Sequence, residues 1–168
     1  MPQLLAQCRA KPIVFDDIRP ELCAALEQVI LDRRQHDRGR RTGSLNVGGW
    51  KSGEDFFAWP DQAVQELRQT IIEMVGTKPL VGWAMVNRAG SHHPRHQHRA
   101  AILTGIYYVT SGSPGTLTPT VFEYPDGSEL EVDPHPARLA IFRGELWHRV
   151  PRYEGDLPRI TVAFDVRR

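Results

Sequence analysis

Two periodicities divide the chain. Between Pro20 and Arg34, apolar residues recur at helical spacing: Leu22, Ala25, Leu26, Val29 and Ile30. Pro20 suits the first turn, where the missing N–H costs nothing. A second helix reads from Asp61 to about Val75, with Val64, Leu67, Ile71 and Met74 in one stripe, Asp61 as N-cap and Gly76 as stop. After Gly76 the texture changes. Short runs of β-branched and aromatic residues alternate with turn signals, which predicts strands near 80–87, 102–109, 116–123, 128–132, 138–143, 147–150 and 159–166. Pro125-Asp126-Gly127-Ser128 reads as a hairpin turn, because Asp-Gly tolerates positive φ. Strands that follow one another without helices predict a sandwich or barrel, not a parallel α/β sheet. The two helices would brace the outside of one sheet.

Length and composition narrow this further. At 168 residues the expectation is a single domain, 1–168, with a helical part over 1–77 and the strands over 78–168. Such a chain buries a core without disulfide staples. Cys8 and Cys23 form no CxxC pair and read as packing residues. No run approaches the roughly 18 apolar residues of a membrane span, and no signal peptide is read, so a cytoplasmic location is expected. Five arginines fall in residues 32–44, yet the net charge is only +1. With no interleaved aromatic platform, nucleic-acid binding is not expected. The run reads as a solvated loop, or as a flap that meets an anionic substrate.

The chemistry concentrates in the histidines. Four of the seven lie in residues 91–98, SHHPRHQH. In an extended segment residues i and i+2 share a side, so His96 and His98 can present two imidazoles to one metal ion. His148, in LAIFRGELWHRV, is the best third ligand. His92 and His93 read as polar loop residues. Imidazoles suit iron, copper, zinc or nickel. Near the C-terminus, Arg159 and Thr161 share one face of a strand whose other face is Ile160 and Val162. A buried arginine needs an anion. Either it holds a ligand carboxylate bidentately, with the Thr161 hydroxyl adding a bond, or it pairs with an acid such as Glu123 or Asp165. Tyr107 and Tyr108 point to opposite faces, so one hydroxyl enters the barrel and needs a polar partner.

Taken in order, Trp83 to Asn87, Gly90, His96-x-His98, LTGIYYV, the GELWH turn and RITVAF resemble the 2-oxoglutarate/Fe(II)-dependent oxygenase superfamily. The similarity is closest to a bacterial and phage group with an H-x-H-type first motif, to which Gly48-Gly49-Trp50-Lys51-Ser52 is also similar. It spans roughly residues 45–166. The resemblance implies a double-stranded β-helix (jelly roll), with His96 and His148 as iron(II) ligands. Arg159, Thr161 and Tyr108 would hold the far carboxylate of 2-oxoglutarate. The implied reaction uses dioxygen, with oxidative decarboxylation of 2-oxoglutarate coupled to hydroxylation of an unactivated C–H in a small molecule, amino acid or peptide. Trp83, Asn87, Trp147 and the arginines of the 38–41 loop, Arg40 among them, are the candidate substrate contacts. The chain departs from the pattern at His98, where most of the superfamily has Asp or Glu. His98 is then a third histidine ligand, or its position is open, or a carboxylate from another strand replaces it. Two other classes stand beside this one: a three-histidine cupin-type dioxygenase or isomerase without 2-oxoglutarate, and a non-catalytic metal- or ligand-binding jelly roll. Exposed strand edges make a homodimer a further expectation.

Overall fold

The computed structural model describes residues 2–8, 11–39, 45–76 and 79–167. Its strands are β1 (Ile13–Phe15), β2 (Trp50–Lys51), β3 (Leu80–Asn87), β4 (His93–His96), β5 (Ala101–Tyr108), β6 (Thr120–Glu123), β7 (Glu129–Val132), β8 (Leu139–Arg143), β9 (Trp147–Val150) and β10 (Arg159–Arg167). The helices are α1 (Pro2–Gln7), α2 (Cys23–His36) and α3 (Gln62–Val75). One sheet has six strands in the order β1-β8-β5-β10-β3-β2, and the other has four, β4-β9-β6-β7. Every ladder between these strands is antiparallel. The pair of sheets is a double-stranded β-helix, or jelly roll.

Alternation along the six-stranded sheet sorts its residues between two tasks. Ile160, Val162, Phe164 and Val166 of β10 pack in one cluster with Leu26 and Ile30 of α2 and with Val64, Leu67 and Ile71 of α3. Ala84 and Val86 of β3, and Leu103 and Tyr107 of β5, join the same cluster. Each fully buried aliphatic there contributes roughly 1.5–3 kcal/mol of transfer free energy. The helices therefore cover the outer face, as the stripes require. The inner face of β10 carries Arg159, Thr161, Ala163 and Asp165. Tyr107 and Tyr108 divide as expected. The Tyr107 hydroxyl donates outward to the Ile18 carbonyl at 3.0 Å, and Tyr108 is buried inside.

The helical readings shift in detail. Pro20–Leu22 is a 3-10 turn, α2 begins at Cys23, and Asp61 precedes α3 without a side-chain cap bond. The buried stripe is Leu22, Leu26 and Ile30, a four-residue step, and Ala25 is exposed. Gly76 ends α3 at φ 87°, a left-handed value that favours glycine. The arginine-rich run is in part the last turn of α2, not a loop: Arg33 lies over the Trp59 ring at 4.6 Å. Residues 40–44, with Arg40 and Arg41, lie outside the described residues.

The strand expected over 116–123 forms only at 120–123. Pro119 has no N–H for a ladder, and Thr116 is tied back to the Ser113 carbonyl in a turn. Strands β1, β2 and β4 have no counterpart in the sequence reading, being two to four residues long. Cys8 is buried and Cys23 packs against the core, as expected of packing residues. Among the described residues, no helix is long and apolar enough to cross a membrane.

Candidate metal centre and carboxylate site

The inner faces of both sheets meet at a cavity of about 100 Å³, well above the ~10–15 Å³ that one water needs. Three of the four histidines that line it, His96, His98 and His148, converge from the four-stranded sheet and the loop that follows β4. His96 and His148 sit directly opposite each other in the β4–β9 ladder, with ring centroids 4.2 Å apart. His98 lies just past β4, where its backbone N–H donates to the Gly144 carbonyl at 2.7 Å. A Cβ at Gly144 would fall 2.4 Å from the His98 carbonyl oxygen and 2.5 Å from that of Ala101. Both are backbone atoms and cannot swing away, so glycine lets the β8–β9 turn seat His98. One ligand atom from each histidine lies within 4.8 Å of the other two.

The hydrogen bonds fix which nitrogen each ring presents. His96 Nδ1 lies 2.7 Å from the Pro94 carbonyl, and His148 Nδ1 lies 3.0 Å from the Leu146 carbonyl. A carbonyl only accepts, so each Nδ1 carries the proton and each Nε2 keeps its lone pair. His98 Nδ1 lies 3.0 Å from an Asp165 carboxylate oxygen, with the same result. The His98 ring also stacks flat on Trp83, at 5.7 Å and 5°. All three imidazoles are thus held with Nε2 free, the arrangement of a metal-binding triad with its supporting groups.

Burial keeps the His96 and His148 rings neutral. It lowers His96 to about 4, with the Pro94 bond opposing, and it holds His148 well below the usual histidine range. Metal binding needs this neutral form. His93 is likewise pushed down to about 3, first by burial and then by Arg159. Between about pH 6.5 and pH 4, the unfolded chain binds protons at His93 and His96 that the folded chain does not. The metal-free protein is therefore expected to lose stability as pH falls through that window and to show no such slope above it. Denaturant midpoints at pH 7.5, 6.5, 5.5 and 4.5 test this; a flat profile would count against buried neutral imidazoles.

The cavity's other wall is β10. Arg159 is 1% exposed and Thr161 is 1% exposed. Arg159 Nε and Nη2 and Thr161 Oγ1 have no hydrogen-bond partner among the described residues. The two acids named above as alternative partners of Arg159 are engaged elsewhere. Glu123 pairs with Arg95 and Arg149, and Asp165 takes His98 and the Thr104 hydroxyl. Taking an unpaired ion out of water costs several kcal/mol even after relaxation. An anionic group in the cavity would supply the counter-charge and acceptor atoms that this wall lacks. Burial lowers the Arg159 pKa, with Tyr108 and Tyr153 opposing, yet a guanidinium stays protonated at neutral pH. Its Cζ lies 5.5 Å from the Tyr108 ring centroid. The Tyr108 hydroxyl itself lies 2.7 Å from Thr120 Oγ1. Tyr108 thus meets Arg159 with its ring face.

The substrate candidates separate. Trp83 and Met85 line the cavity. Asn87, directly across the ladder from Arg159, is fully buried with both amide atoms unpartnered, and it lies outside the cavity lining. Trp147 points away: on β9 it alternates with the inward His148, and Arg95 stacks over its ring at 3.7 Å. Arg40 is outside the described residues. Sequence reasoning missed His93, which is no loop residue. It is buried in β4 and lines the cavity, and its Nε2 lies 2.9 Å from Asn46 Oδ1. Asn46, Lys51 and Thr120 also line the cavity unforeseen.

No family model and no curated protein matches the chain by sequence. Solved structures do match in fold. A Pseudomonas putida prolyl-4-hydroxylase superposes with a TM-score of 0.72 at 17% identity, covering 98% of each chain. A Trichoplax adhaerens prolyl hydroxylase, solved with a hypoxia-inducible-factor degradation-domain peptide, gives 0.78 at 13%, covering 99% of this chain and 88% of that one. HygX from Streptomyces hygroscopicus, solved with nickel and 2-oxoglutarate bound, gives 0.70 at 12%, covering 97% and 85%. At these identities the likeness is one of fold.

Proposed function

We propose that the chain is an Fe(II)- and 2-oxoglutarate-dependent oxygenase that couples oxidative decarboxylation of 2-oxoglutarate to hydroxylation of an unactivated C–H bond. The observation that carries this reading is Arg159. It is a buried cation with unpartnered donors, on a cavity wall that also holds Thr161 and faces three converging histidines. A metal site alone would fit many chemistries. A metal site beside a built carboxylate receptor fits a dicarboxylate co-substrate. The nickel and 2-oxoglutarate held by HygX, on the same fold, support the reading.

Each residue then has a task. His96, His98 and His148 would hold iron(II) through Nε2. When bound, the ion and co-substrate supply oxidising power for dioxygen chemistry that no side chain can supply. Arg159 and Thr161 would hold the distal carboxylate, with the guanidinium braced on the Tyr108 ring. Ile106, Met85 and Ala163 give the cavity apolar walls that exclude water. Trp83 fixes His98 from one side and faces the cavity, beneath the Lys51 ammonium at 4.3 Å. The substrate, a small molecule, amino acid or peptide, would approach along the groove lined by Arg34, Arg38, Gly48 and Gly49. That groove shares Asn46 and Lys51 with the cavity.

A second reading rests on His98: three neutral imidazoles also suit a cupin-type enzyme that uses no 2-oxoglutarate. One experiment separates them. Iron(II) is added under anaerobic conditions, and 2-oxoglutarate is titrated while the visible metal-to-ligand charge-transfer band is followed. A saturable band, with succinate formed on admitting air, is expected. Iron binding with neither band nor succinate would sink the proposal in favour of the second reading.

A further inference from the structure

We infer that Asp165 is the positioning residue of the metal centre, returning to it at one remove the carboxylate that is missing from position 98. The inference rests on the three-histidine metal reading above and adds a role to a residue that this reading leaves unused. Asp165 lies on the inner face of β10, at the opposite end from Arg159. Its Oδ1 lies 3.0 Å from His98 Nδ1, and the same oxygen accepts the Thr104 hydroxyl at 3.0 Å. Thr104 is its direct cross-strand partner in the β5–β10 ladder, so the sheet register itself aims the carboxylate. The side chains of His98 and Asp165 are only 15% and 12% exposed.

Two consequences follow from this geometry. First, an ionised carboxylate only accepts, so Nδ1 of His98 carries the proton and Nε2 faces the ion. The Pro94 and Leu146 carbonyls do the same for the other two rings. Second, those two carbonyls carry no charge, whereas Asp165 does. Three imidazoles would leave a divalent ion with its full positive charge, in a cavity that also holds the Arg159 cation. Asp165 offsets part of that charge through the His98 ring and raises the ring's basicity as a ligand. One inner strand face therefore supplies both charges the site needs: Arg159 for the anion and Asp165 for the cation.

The test uses the full chain and two probe ions, cobalt(II) and nickel(II). Affinities are measured by competition with a chelator, alongside circular dichroism to establish folding. Asp165→Asn keeps an oxygen acceptor in nearly the same place and removes the charge. It is expected to bind both ions roughly 10–100-fold more weakly than the wild-type chain. Thr104→Val keeps the charge, loosens its aim and should fall between the two. Imidazole ¹⁵N shifts of the metal-free protein give a readout independent of the ion: His98 should be the Nδ1–H tautomer in the wild type and mixed in Asp165→Ala. Wild-type-like affinity in a folded Asp165→Asn chain overturns the role of Asp165 and leaves the metal site standing. Failure of the wild-type chain to bind either ion overturns the metal site, and this role with it.

Discussion

Replacing Arg159 by alanine should weaken 2-oxoglutarate binding by about 2–5 kcal/mol, roughly 30- to 5,000-fold, while leaving metal binding nearly intact. The magnitude comes from burial. Arg159 is 1% exposed, and its Nε and Nη2 have no partner among the described residues. A carboxylate that meets such a guanidinium makes paired, charge-assisted bonds in a medium that screens them little. The same variant has a second, less intuitive outcome. Removing one member of a satisfied ion pair destabilises a fold. Among the described residues Arg159 has no such pair, so its removal relieves a buried, uncompensated charge. The metal-free Arg159→Ala protein is therefore expected to melt no lower than wild type, apart from the packing lost against Tyr108. Arg159→Lys discriminates further. It keeps the charge and loses the planar fork, so it should recover only part of the affinity. Calorimetric titration of 2-oxoglutarate into the nickel-loaded protein, with thermal melts of the metal-free variants, reads both effects. A marked fall in melting temperature together with unchanged 2-oxoglutarate affinity would make Arg159 a structural residue.

The site was legible in the sequence to the extent that periodicity carries it. A period of two put Arg159 and Thr161 on one face and Ile160 and Val162 on the other, and the sheet obeys this. The H-x-H spacing brings both rings to the cavity, although only His96 of that pair lies within a strand. The same rule, carried two more steps along β10, reaches Ala163 and then Asp165. Its partner His98 was hidden because it lies across the barrel in a loop whose seat depends on Gly144. His93 was illegible for a different reason. Four histidines in a row of polar residues read as a loop, and only the pairing of β4 with β9 buries the first residue of the strand. Trp147 misled because its neighbour His148 is the inward residue; one position along a strand reverses the face. Short edge strands such as β1 and β2 carry too few residues to show a period at all.

Replacing His148 by alanine should abolish stoichiometric metal binding, while His92→Ala should leave it unchanged. His148 is 3% exposed, lies opposite His96 in the ladder, and has its Nδ1 fixed by the Leu146 carbonyl. Two imidazoles remaining from three no longer enclose an ion. His92 belongs to the same histidine-rich run, yet its role there is a backbone bridge to Val47, which the substitution preserves. The ion binds the folded state, so the wild type should be stabilised by about 2.7 kcal/mol at a free metal concentration 100 times its Kd. For a domain of this size that is a rise of roughly 5–10 °C in melting temperature. His148→Ala should show no such rise. Its metal-free form should also melt lower, because His148 packs edge-on against Phe142 at 4.8 Å and the deletion leaves a void in that cluster. His148→Phe separates the two effects: it refills the space, restores part of the metal-free stability and still binds no ion. If His148→Ala kept the full metal-dependent rise, the ion would be held elsewhere than between β4 and β9.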